Sequence, residues 1–269
     1  MTEKGVFSNG IPYVQFGKGE EPLLVFSGGP GNDLPSGFIL RMFTNGFKQI
    51  SQKYMIYILT RKHGQPEGYT TIDMSEDYAT LIKSEFNSGP IDVMGVSYGG
   101  LIAQHLAADH PKLIRRLIIA MAAYKVGEEG KELDTKFAEL MSQGKTRKVS
   151  LTMISLLYPS GIKKHLFKFF IWLFGSLMMS KPSNPQDLLI EAKAESEHDS
   201  KNQLAKITVP TLVIAGDDDY YFPEKLYRET ASGISNSKLI LYEGVGHMAI
   251  GKKFDEDVLN FLNSNENKS

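Results

Sequence analysis

Apolar residues in this chain cluster into short uninterrupted runs, separated by longer stretches in which they recur every three or four positions. Leu23 to Ser27 (LLVFS), Tyr54 to Thr60 (YMIYILT), Ile91 to Val96 (IDVMGV) and Leu117 to Ala122 are four such runs. Runs of this length, bounded by turn residues, predict strands buried on both faces. Between them, Ile72 to Phe86 places Ile72, Ser75, Ala79, Ile82 and Phe86 on one side of a helix, and Leu101 to Asp109 predicts another. Asn9-Gly10, set between short β-prone runs, predicts a hairpin near the start. Buried strands alternating with helices predict an α/β domain with a parallel sheet.

The alternation stops after Ala123. From Tyr124 to Ile207 the signals are helical only: GKELDTKFAELMSQGK, an apolar segment, then DLLIEAKAESEHD. After Pro210 the strand–helix rhythm returns with TLVIAGD, a helix over Glu224 to Ala231, a strand over Lys238 to Glu243 and a closing helix over Asp255 to Leu262. The chain therefore divides into a first core part (residues 1–123), a helical insertion (124–207) and a second core part (208–269). Strands on both sides of the insertion belong to one domain.

Composition narrows the chemistry. The chain has 269 residues, and the absence of cysteine excludes disulfides, thiolate metal sites and a cysteine nucleophile. Lys and Arg number 30 against 31 Asp and Glu, so no concentrated positive surface argues for a nucleic-acid partner. The N-terminal MTEKGVFSNG lacks the basic and apolar regions of a secretory signal, which predicts a cytoplasmic protein. Within the apolar segment the longest uncharged run, Phe169 to Ser180, falls short of the roughly 20 residues a spanning helix needs. Its cluster Lys163, Lys164, His165 and Lys168 beside aromatics leaves peripheral membrane contact open.

Gly95-Val96-Ser97-Tyr98-Gly99 matches G-x-S-x-G and lies between a buried strand and an amphipathic helix. A serine at the apex of so tight a turn needs flanking glycines, because side chains there would collide. Ser97 is thus the candidate nucleophile, and a serine hydroxyl needs a histidine base oriented by a carboxylate. Of six histidines, His247 lies in Glu243-Gly244-Val245-Gly246-His247, a glycine-flanked loop directly after the last strand. Asp217, Asp218 and Asp219 follow the strand TLVIA at the same kind of edge, and adjacent aspartates also make turns and helix caps. An oxyanion would need two N–H donors. The candidates are Tyr98, at the helix start after the turn, and Gly29, in the Ser27-Gly28-Gly29-Pro30-Gly31 loop.

Taken together, the GGPG loop, GVSYGG, the helical insertion, VPTLVIAGDDDYYFP and EGVGHM resemble the α/β-hydrolase superfamily over the whole chain. That resemblance implies a mostly parallel central sheet flanked by helices with a helical cap. Its G-x-x-D-x-x-x-P pattern selects Asp219 as the acid, and its G-x-G-H pattern selects His247. The loop and cap are also similar to the proline iminopeptidase branch. Two positions depart from that branch: Ser27 stands where histidine is usual, and GVSYG stands where GGSWG is frequent.

The expected activity is a serine hydrolase acting on small or apolar carboxylic esters through Ser97, Asp219 and His247. Aminopeptidase activity of the iminopeptidase kind is the alternative, and a ligand receptor on the same fold is the non-enzymatic one. Phe170, Trp172 and Phe174 are candidates for an apolar substrate pocket. Glu191, Glu195, Glu197 and Asp199 read as a solvated helix face, or as carboxylates able to hold a peptide amine. No motif implies a metal or a cofactor.

Overall fold

In a computed structural model, which describes residues 2–29, 31–87, 89–145, 148–149 and 183–264, eight strands form one sheet with the order β1-β2-β4-β3-β5-β6-β7-β8. The strands are β1 (Thr2–Val6), β2 (Pro12–Gly17), β3 (Glu21–Phe26), β4 (Tyr54–Leu59), β5 (Ile91–Val96), β6 (Ile114–Ala120), β7 (Thr211–Gly216) and β8 (Ser237–Tyr242). The first two pairings are antiparallel and all the others parallel. The hairpin at Asn9-Gly10 forms as the sequence predicts. The Phe7 carbonyl accepts from Gly10 N–H at 2.9 Å, and Gly10 takes a φ of +89°, a region glycine enters without a Cβ penalty.

Successive residues of the central strands feed two separate cores, because side chains alternate across a sheet. Leu24, Phe26, Val93, Val213 and Ala215 enter one core. It is closed by the helices α2 (Thr71–Glu85), α3 (Tyr98–Asp109) and α6 (Glu224–Gly233) through Tyr78, Leu101 and Tyr227. Leu23, Val25, Met94, Leu212 and Ile214 enter the other, covered by α1 (Gly37–Gly46) and α7 (Lys252–Asn263) through Phe43, Phe254 and Val258. Every residue of β5 and β7 is buried, as expected of strands covered on both faces. The fold is that of an α/β hydrolase.

Two α-helices of the insertion have their ranges within the described residues, α4 (Glu128–Ser142) and α5 (Pro185–Ser196), and a 3-10 helix, Lys201–Lys206, follows them. The two α-helices pack on each other through Ala138, Met141, Leu188 and Ala192. Asn184 starts α5 by accepting the Gln186 N–H at 3.1 Å, with Pro185 at the first helical position. The chain leaves at the end of β6 and returns at β7, which lies beside β6 with Ile118 opposite Leu212. The insertion thus opens from the edge of the sheet where the parallel strands end.

Two local features differ from the sequence reading. The helix α1 has no counterpart in it, since Phe38, Ile39, Leu40, Met42 and Phe43 crowd into six positions broken only by Arg41, too short a run to show recurrence every three or four residues. And α3 begins at Tyr98, not at Leu101. Gly99 and Gly100 are poor helix formers, but contact requires them: a Cβ on Gly99 would lie 2.1 Å from the Phe26 carbonyl oxygen. On Gly100 it would lie 2.4 Å from the Ala122 Cβ.

Candidate active site

Ser97 occupies the turn between β5 and α3 with φ 51° and ψ -120°, outside the regions that L-residues favour. Holding a residue there costs on the order of 1–3 kcal/mol. The surroundings impose it: Ser97 N–H donates to the Ala120 carbonyl at 2.8 Å, and Gly100 N–H donates to the Ser97 carbonyl at 2.7 Å. A Cβ on Gly95 would meet the Gly100 Cα at 2.5 Å, so the strand enters the turn only as glycine. The hydroxyl is thereby presented at the carboxyl edge of the sheet.

Two other loops at that edge converge on it. His247 Nε2 lies 2.9 Å from Ser97 Oγ, and His247 Nδ1 lies 2.8 Å from Asp219 Oδ2. A carboxylate only accepts, so Nδ1 carries the proton and Nε2 turns its lone pair to the serine. Asp219 is itself fixed. Its Oδ1 accepts the N–H groups of Tyr221 at 2.8 Å and Phe222 at 3.3 Å, and its Oδ2 also accepts the Tyr227 hydroxyl. The rings of Tyr221 and Phe222 lie 4.7 and 5.8 Å from that of His247. Asp217 instead accepts the Gly244 N–H at 2.7 Å and braces the histidine loop, while Asp218 is exposed at the pocket rim.

The remaining histidines stand apart from this chain of hydrogen bonds. His105 and His198 form a buried pair with ring centroids 4.9 Å apart, and burial lowers the pKa of both. His110 pairs with Glu76 at 2.7 Å, and His63 is exposed. His165 lies outside the described residues, as do Phe170, Trp172 and Phe174.

The glycine loop after β3 passes directly over the serine. A Cβ on Gly28 would lie 3.0 Å from the Ser97 Cβ, so only glycine lets this backbone approach. Gly29 has φ +71°, with nothing near its Cβ position. Both glycines line the same cavity as Ser97 and His247, and Tyr98 is the first residue of α3, where helical N–H groups have no partner within the helix.

That cavity has a volume of about 420 Å³. Phe43, Val96, Met121, Phe137, Met248 and Ile250 supply apolar wall, and Asp134 and Glu195 come from the insertion. Both carboxyls are buried, at 4% and 2% exposure, and neither Asp134 Oδ2 nor Glu195 Oε2 has a hydrogen-bond donor among the described residues. Burial pushes Asp134 up to about 7, against lowering by His247 and by hydrogen bonds with Glu195 and Tyr221. Burial, then the charge of Asp134, pushes Glu195 well above the carboxylate range. Like charges this close cannot both ionise, so the pair keeps a proton at neutral pH.

Here the solvated face expected of α5 needs correction. Asp187, Glu191 and Glu195 recur every fourth residue, which aligns them on one helix face, and all three are buried. Only Glu197 and Asp199 are exposed. The inward carboxylates are tolerable because the core meets them with donors. Asp187 accepts the N–H groups of Gly64 and Gln65, both at 2.9 Å, and the Asn32 amide at 2.7 Å. Glu191 forms an ion pair with Arg61 at 2.8 Å and accepts the Gln65 amide at 2.6 Å. A stripe of carboxylates looks the same in sequence whether water or buried donors satisfy it. Arg61, Asp134 and Tyr221 have no sequence signal beyond a position near a strand end or within the insertion.

Among the described residues no cluster of three or more His, Asp or Glu side chains is arranged to hold a metal ion. No helix among them is long and apolar enough to cross a membrane.

Comparison with known proteins agrees with this architecture. The model of the alpha/beta hydrolase fold family matches residues 37–254, and the chain belongs to that family. It is 26% identical over 280 residues to the 2-hydroxy-6-oxononadienedioate/2-hydroxy-6-oxononatrienedioate hydrolase of Pseudomonas sp, covering 97% of this chain and 94% of that one. A proline iminopeptidase of Flavobacterium johnsoniae is 25% identical over 217 residues, 72% of each chain. Among solved structures, a thermophilic esterase from Thermogutta terrifontis superposes with a TM-score of 0.72 at 20% identity, covering 98% of both chains.

Proposed function

We propose that this protein is a serine hydrolase that cleaves carboxylic esters of small or apolar acyl groups. The observation that carries the reading is the hydrogen-bonded series Ser97 Oγ, His247 Nε2, His247 Nδ1 and Asp219 Oδ2, with links of 2.9 and 2.8 Å. Ser97 attacks the ester carbonyl while His247 Nε2 takes the hydroxyl proton, and Asp219 stabilises the imidazolium. The carbonyl π electrons move to the oxygen, where the N–H groups of Gly29 and Tyr98 receive the oxyanion. Collapse of the tetrahedral intermediate expels the alkoxide, which takes the proton from His247 and leaves an acyl-Ser97. Water, deprotonated by the same histidine, repeats the sequence and releases the acid.

The mostly apolar cavity wall supports an apolar acyl group, and residues 124–207 act as a cap over it. Steady-state turnover of a p-nitrophenyl ester tests the mechanism. Ser97→Ala is expected to lower kcat by at least about 10⁴-fold, and a variant with wild-type turnover rejects the reading.

One observation favours a second reading, hydrolysis of aminoacyl amides or esters: the Asp134–Glu195 pair offers buried acceptors to an ammonium group. Rates on a proline arylamide and on a short acyl ester separate the two. Activity confined to esters without an amine rejects the second.

A further inference from the structure

Arg61 follows β4 and is wholly buried, and it touches none of Ser97, His247 or Asp219 through a hydrogen bond in the series above. Its bonds run to the loop over the serine. Nη1 donates to the Ser27 carbonyl at 2.9 Å and to Ser27 Oγ at 3.2 Å. Nη2 donates to the Gly29 carbonyl at 2.7 Å and to the Gly31 carbonyl at 2.6 Å. Glu191 of α5 holds the Nε edge of the guanidinium, through Nε to Oε1 at 3.2 Å and Nη2 to Oε2 at 2.8 Å, so the two Nη2 hydrogens are shared among three acceptors. Glu191 Oε2 in turn accepts the Gly31 N–H at 2.5 Å. The guanidinium lies over the Tyr98 ring at 4.9 Å, and the Tyr98 hydroxyl donates to the Glu191 carbonyl at 3.1 Å.

From this arrangement we infer that Arg61 and Glu191 are positioning residues for the oxyanion site, and that docking of α5 completes that site. The inference rests on the hydrolase reading above, in which the Gly29 N–H is a donor.

The physical argument concerns a loop that would otherwise wander. Two adjacent glycines carry no Cβ restraint, so the Gly28–Gly29 peptide has many orientations open to it. Carbonyl and amide directions are fixed within each planar peptide. Arg61 pins the Ser27 carbonyl before that peptide and the Gly29 carbonyl after it. The Gly29 N–H between them is therefore aimed before any substrate arrives. Oxyanion donors are effective because they need no reorganisation during the reaction. An arginine suits the task better than a lysine, since its planar fork reaches several carbonyls and a bidentate carboxylate at once. Glu191 supplies the counter-charge without which a buried guanidinium would be costly. Because Glu191 belongs to the insertion and Arg61 to the core, the pair ties the cap to the donor loop. Ser27, where related loops carry histidine, contributes a hydroxyl to the same clamp.

The test measures two quantities on Arg61→Lys and Glu191→Gln. One is kcat and KM for a p-nitrophenyl ester. The other is the affinity for a trifluoromethyl ketone with the same acyl chain, whose hemiketal places an oxyanion in the site. Loss of donor alignment is expected to lower kcat and ketone affinity together by about 10²-fold, with KM changed less than about threefold. Variants that fold with wild-type near-ultraviolet circular dichroism and keep both quantities within about threefold overturn the inference.

Gln65→Leu provides a milder disturbance should both variants fail to fold. It removes only the amide that steadies Glu191 and its bond to the Lys62 carbonyl. A parallel loss of about fivefold in kcat and ketone affinity supports the clamp, and no change in either overturns it. Labelling of wild type by a fluorophosphonate keeps the two levels apart. An unlabelled wild type contradicts the hydrolase reading itself, whereas a labelled wild type with unaffected variants overturns the positioning role alone.

Discussion

The site is assembled from two halves that differ in how they are held. The half built on the core consists of Ser97, Asp219, His247 and the glycine loop, each following a parallel strand; backbone groups fix Ser97 and Asp219, Asp219 fixes His247, and Arg61 holds the loop. The half from the insertion consists of Asp134, Glu191 and Glu195, held by other side chains and by burial. Core geometry follows from strand ends and close-packed glycines. Insertion geometry depends on charges meeting partners far away in sequence, such as Arg61 for Glu191. On the hydrolase reading proposed above, the first half would carry the proton transfer and the second would govern what enters and how the glycine loop is aimed.

Substitutions in each half separate these roles. The largest effect is expected from Asp219→Asn. An amide in place of the carboxylate can donate to His247 Nδ1 and so favours the wrong tautomer, which lowers kcat by about 10⁴-fold. Ester turnover checks it, with the fold preserved in circular dichroism. Next is Gly99→Ala, a change in the core-built half that acts through packing. Its new Cβ would meet the Phe26 carbonyl oxygen at 2.1 Å, and a loss of about 3 kcal/mol in urea unfolding is expected.

The insertion half responds differently because Asp134 and Glu195 resist ionisation. Asp134 keeps its proton up to about 7 in the folded chain, against an ordinary value of 3.8. The folded state therefore binds more protons than the unfolded state between those values, and stability falls as pH rises through that window. Asp134→Asn cannot ionise. It is expected to exceed wild type by roughly 1–3 kcal/mol at pH 8, with the advantage shrinking toward pH 4. Urea unfolding at both pH values measures it, and a difference independent of pH contradicts the account. The smallest effect belongs to the outward face of α5. Lys193 and Glu197 pair there at 2.8 Å in water, and Lys193→Ala should cost less than about 0.5 kcal/mol.

The same division explains what the amino-acid sequence reveals. Ser97 is legible because G-x-S-x-G follows a buried run, and His247 because its glycine-flanked loop follows the last strand. Asp219 needed the family pattern, since three adjacent aspartates offer the same chemistry and only the fold distinguishes the one that Tyr227 and two N–H groups orient. The parallel strands were legible as apolar runs, whereas the first turn of α3 was hidden by Gly99 and Gly100, which local propensity disfavours and tertiary contact demands. The inward face of α5 was misread for a physical reason. Periodicity shows which residues share a face, but not whether that face meets solvent or buried donors.

Peptide mapping by mass spectrometry after reaction with a fluorophosphonate tests the central claim most directly. Stoichiometric phosphonylation on Ser97 is predicted, lost in Ser97→Ala and strongly slowed in Asp219→Asn. A folded wild-type chain left unmodified, or modified on another serine, would contradict it.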